Sequence, residues 1–179
     1  MNWSSGRVDA EPRDPAAIAW FARAGQPWSA AESAAVEELI ASWPALDGAT
    51  IAAVESTDAA SVLLRTAVFD DAWWDEEEGL REGLWHAVTH ALSEAELEHR
   101  LAEAGARWRL VASGAARRAF AADSALAQDA AAALALAAHQ RMLAQLAGEG
   151  GRHVFARKLA LFAAGRWPLG YHRGRYYVF

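Results

Sequence analysis

Cysteine is absent from this chain, so disulfides and thiolate metal sites are excluded. Lysine occurs once, at Lys158, and asparagine once, at Asn2; isoleucine stands only at Ile18, Ile40 and Ile51. A single lysine with no G-x-x-x-x-G-K-[ST] around it excludes a P-loop, and no G-x-G-x-x-G follows a strand-like run. No G-x-S-x-G elbow is present, since "ASGAA" around Ser113 lacks the flanking glycines. The familiar forms of nucleotide-dependent and serine-nucleophile chemistry therefore have no support. Long apolar runs are missing too: "AAAALALAA", from Ala130 to Ala138, is far short of the about 20 residues that span a bilayer. The start, "MNWSSGRVDAEPRDP", has no basic segment followed by an apolar one. The expectation is a soluble cytoplasmic protein with no membrane contact.

Alanine and arginine fill the space. There are 46 alanines, and 16 of the 17 basic residues are arginine. Both have GC-rich codons, so the bias reads as that of a GC-rich, bacterial type of gene rather than a choice of arginine for phosphate. Alanine still matters physically, because it is the best helix former and lets helices approach closely.

The charge is uneven. From Gly150 to Phe179 there are six basic residues and no acid. The 149 residues before them hold the other 11 basic residues against all 23 acids, a balance of −12. The tail "GRWPLGYHRGRYYVF" interleaves Arg166, Arg173 and Arg175 with rings. It could stack bases, but the acidic body disfavours a polyanion, so nucleic acid is not the expected partner. The expectation is a hairpin, with "HRG" as its turn, folded back on the body. An isolated two-stranded hairpin is marginal in water, so its rings must pack on something.

Caps and 3–4 periodicity predict the rest. Asp14 and Pro15 open a first helix that Gly25 ends. Ser29 and Glu32 form a capping box for a second, with Val36, Leu39, Ile40 and Trp43 as its stripe and Pro44 as its stop. A third covers Ala49 to Asp70, with a break near Ser56. A fourth runs from about Glu76 to Ala91, capped by Asp75 and burying Leu80, Leu84, Ala87, Val88 and Ala91. A fifth is capped by Ser93 and ended by Gly105. Arg107 to Val111 reads as strand or helix. A long helix from Ser124, roughly 35 Å in length, forms a spine. A last helix covers about Arg152 to Ala164. The fold class is mainly α: a single-domain bundle of six or seven helices over residues 13–179, closed by a hairpin at 166–179, with residues 1–12 disordered.

Two functional readings stand. The first is a non-catalytic protein that binds a protein partner, or itself, through aromatic surface, with no cofactor. The second is a metal-binding protein or metal-dependent hydrolase. His86 and His90 are four apart on one helix face, with Glu82 and Glu78 continuing the line. A divalent transition metal such as zinc would need a third ligand there, from His139 or His99, and Glu82 would serve as ligand or base. The acidic run Asp70, Asp71, Asp75, Glu76, Glu77 and Glu78, with Trp73 and Trp74 inside it, reads as a counter-surface for the tail arginines.

Overall fold

The computed structural model describes residues 14–67 and 69–179. The expectation of disorder over residues 1–12 lies outside them. The described residues form six helices and one small sheet. In chain order these are α1 (Ala30–Ala41), β1 (Thr50–Ala53), α2 (Thr57–Thr66), α3 (Asp71–Thr89), α4 (Glu94–Ala119), α5 (Ser124–Leu146), α6 (Val154–Ala163), β2 (Pro168–His172) and β3 (Arg175–Val178). The mainly helical bundle with a C-terminal hairpin is what the caps and periodicity predict.

α5 is the spine. α4, α6, α3 and α2 all pack on it. Its small buried residues Ala127, Ala130 and Ala137 allow α4 to lie close along it through Ala112, Ala115 and Ala116. That contact explains why α4 runs straight through Gly105 and Gly114 instead of ending at Gly105. Each glycine costs about 1 kcal/mol of helix propensity, which a long packed interface outweighs. Arg107 to Val111 is accordingly helix.

Three other expectations are corrected. The first helix does not form: a 3-10 turn covers Pro15–Ala17, capped by Asp14, and turns follow. Tertiary bonds win there. Arg23 N–H donates to the Gly165 carbonyl, and Phe21 sits at φ 63° so that its ring can enter the core. The third helix is shorter than expected, because Thr50–Ala53 is a strand and Ser56 caps α2 only after it. Its β-branched Thr50 and Ile51 suit a pleated surface. α3 begins at Asp71 under an Asp70 cap, not at Glu76 under Asp75. This earlier start places Trp73, Glu77, Leu84 and Val88 on the buried face, while Ala87 and Ala91 stay exposed.

The sheet order is β1-β3-β2, with β3 antiparallel to β2 and parallel to β1. The hairpin turn carries Arg173 at φ 49° and Gly174 at φ 76°, the pair of positive angles a two-residue type I′ turn needs. Gly170 marks an irregularity in the β2 register, and the Phe69 ring lies over it where a Cβ would sit. The sheet divides the interior. Tyr176, Val178 and Ile51 belong to a cluster with Trp43, Trp73 and Phe155. Trp167, Leu169 and Phe179 belong to another with Phe21, Phe120 and Phe162. The tail is thus an inward plug between two apolar clusters.

Candidate functional site

Glu82, His86 and His90 lie where helical spacing puts them on α3, all exposed, with His90 as the C-cap residue. Glu82 and His86 border a shallow depression with Arg81 and Trp85. His139 is half-buried on α5, and His99 is exposed on α4. Burial, and then the Arg81 cation, hold the His139 imidazole below its ordinary pKa. Arg81 is paired with Glu78, and the Glu78 and then the Glu82 carboxylate hold its guanidinium above its ordinary pKa. A fixed cation therefore neighbours both the glutamate and the proposed third ligand. Among the described residues no group of three or more His, Cys, Asp or Glu side chains is placed to hold a metal ion.

The chain's one lysine lies in a buried polar cluster. Lys158 occupies the apolar stripe of α6 together with Val154, Phe155, Leu161 and Phe162. Its Nζ donates to Glu77 Oε1 at 2.7 Å and to Gln140 Oε1 at 3.3 Å. Gln140 Nε2 donates to the same Glu77 oxygen. The ammonium also faces the Trp43 and Trp73 rings, 5.8 and 5.7 Å from their centroids. Burial pushes its pKa down, and the Glu77 carboxylate opposes that. The Tyr176 hydroxyl is pushed well above its ordinary value, by burial and then by Glu77. Among the described residues Glu77 is the one member of the acidic run that meets a buried cation, and the partner is Lys158 rather than a tail arginine.

Arg166 ties the tail down. Its side chain is fully buried and stacks on Trp28. It donates to Glu32 Oε1 at 2.8 Å and to the carbonyls of Arg23, Gln26 and Pro27. Arg166, then Arg23, hold the Glu32 carboxyl far below the usual range. Arg173 and Arg175 are exposed and form no ion pair among the described residues. The expected pairing of the tail with the acidic run is therefore replaced by a pairing with the capping-box glutamate. Such a contact was legible only as one acid among many.

The remaining feature is an open sheet edge. Thr50 N–H donates to Gly174 O and Val54 N–H to Val178 O. In a parallel ladder alternate residues face the neighbour, so Ile51 and Ala53 turn their backbone groups outward. Among the described residues no backbone bond reaches those groups. The other edge, on β2, is partly covered, since Asp70 N–H donates to Tyr171 O. A depression of about 830 Å³ adjoins the start of β1, with Ile40, Trp43, Pro44 and Ile51 in its wall and Glu37 and Asp47 at its rim. Another of about 670 Å³ adjoins its end, formed by Val54, Val62, Leu63 and Tyr177 with Glu55 and Asp58. Val62 is 51% exposed. The sequence reading missed this edge because it took the strand for helix.

No helix of the described residues is long and apolar enough to cross a membrane. No protein-family model, no curated protein and no solved structure matches this chain.

Proposed function

We propose that this protein is a non-catalytic binding module that takes an extended segment of another protein along the open edge of β1. The observation that carries this reading is the outward backbone of Ile51 and Ala53 on a strand that, among the described residues, has one neighbour. Unpaired strand edges template the addition of a further strand, with main-chain bonds supplying affinity and side-chain pockets supplying choice. Here an added strand would find one depression toward each end of β1. A second copy is the poorer occupant. Centred antiparallel pairing of two β1 strands would lay the Asp47 end of one copy against the Glu55 end of the other, like charge on like.

The test is a panel of fluorescein-labelled eight-residue β-prone peptides, read by anisotropy and by amide exchange. Binding should slow exchange at the Ile51 and Ala53 amides. Ala53→Pro removes an outward donor and should abolish binding with the melting temperature little changed. Ala52→Pro removes a donor facing β3 and should lower that temperature. Binding by no peptide of the panel, or equal binding to Ala53→Pro, would overturn the proposal.

A further inference from the structure

Resting on that reading, we infer that the strand taken by β1 is basic, with an arginine or lysine near each of its ends and β-branched residues between. The two depressions share one composition. Each has an apolar wall and carries two carboxylates, and among the described residues neither is lined by an arginine, lysine or histidine. Glu37, Asp47, Glu55 and Asp58 are all exposed, and none makes an ion pair among the described residues. Asp47 precedes the strand and Glu55 and Asp58 follow it, so one carboxylate group lies beyond each end of β1. The nearest cation in the sheet, Arg175, is paired with Thr50 on β3, across β1 from the open edge.

This surface suits side chains that are apolar along their length and cationic at the tip. Arginine and lysine lay their methylenes on apolar surface while the head stays at the wet rim. Against the Trp43 and Ile51 wall the stem would be covered, and the head would reach Glu37 or Asp47. At the other end Val62, Leu63 and Tyr177 would cover the stem, with Glu55 and Asp58 at the head. β1 has four residues, or roughly 13 Å at the usual rise per residue. Ile51 and Tyr177 lie on opposite faces of the sheet, so a six-residue strand, whose first and last side chains point to opposite faces, reaches both carboxylate groups. Between its cations, β-branched residues hold the extended backbone.

The test uses fluorescein-labelled Arg-Val-Thr-Val-Thr-Arg amide, whose arginines project to opposite faces of an added strand, with analogues carrying Gln or Glu in place of both arginines. The arginine peptide should bind at least about fivefold tighter than the glutamine one, and the glutamate one should bind weakest. Raising salt from about 0.05 to 0.5 M should remove most of that preference. The combined variant Glu37→Gln, Asp47→Asn, Glu55→Gln, Asp58→Asn should equalise the peptides, and its melting curve reports that it is folded. If the glutamine and arginine peptides bind equally and Ala53→Pro blocks both, strand addition stands and the charge inference fails. If the arginine peptide binds Ala53→Pro as well as the parent, the cations act elsewhere and both fail. Absence of binding by all three peptides also overturns both.

Discussion

Lys158 Nζ lies 2.7 Å from Glu77 Oε1, and both side chains are almost sealed from water. The pair joins α3 to α6, and Gln140 adds α5. Taking two ions from water is expensive, and their attraction offsets it only when both are present. Lys158→Met should therefore destabilise the fold by about 3–5 kcal/mol, because Glu77 is left buried without a cation. The double variant Lys158→Met, Glu77→Leu should recover most of that loss. Urea denaturation of the three proteins checks both statements. A single variant as stable as the parent would contradict them.

Glu32 and Arg166 predict an acid-sensitive fold. The folded Glu32 carboxyl titrates below its ordinary 4.5, so between that value and its folded one the unfolded chain binds more protons. The stabilisation is complete above about pH 4.5 and is lost as pH falls through the folded value. Glu32→Gln should lower stability at pH 7 by about 3 kcal/mol and make the acid limb shallower. Asp123 is also held below its ordinary value, by the Leu126 N–H and then Ser61, so some slope should remain. Chemical denaturation at pH 3, 5 and 7 gives the comparison.

Removal of Trp167 to Phe179 should abolish cooperative melting. It would strip Trp167 and Phe179 from one cluster and Tyr176 and Val178 from the other. The milder Phe179→Ala should cost about 3–5 kcal/mol, since that ring is 1% exposed and stacks on Phe120. Calorimetry on both proteins decides; a truncated chain that melts like the parent would make the tail a free appendage.

Zinc, nickel and manganese should raise the melting temperature no more in the parent than in His86→Ala, His90→Ala. The two histidines are exposed, and the Arg81 cation lies near both Glu82 and His139. A metal-specific shift lost in the double variant would favour the metal-centre reading.

Much of the architecture was legible because its causes are local. The Ser29 capping box, the α5 spine and the His172–Arg175 turn follow from short-range rules about hydrogen bonds, spacing and positive φ. The buried lysine was half legible: Lys158 stands at helical spacing among Phe155, Leu161 and Phe162, a position where a charge demands a partner. Its partner was not, since Glu77 is 81 residues away in a run of acids that looks like an ordinary helix start.

From the order of its residues alone this chain was committed to alanine-rich capped helices and to a ring-laden hairpin too apolar to stand in water. Only the folded arrangement decided that Thr50–Ala53 would be a strand, that residues 15–25 would not be a helix, and which acid would answer which cation. Propensities differ by about 1 kcal/mol or less per residue, and the about 3–5 kcal/mol cost of leaving one buried charge without its distant partner outweighs them.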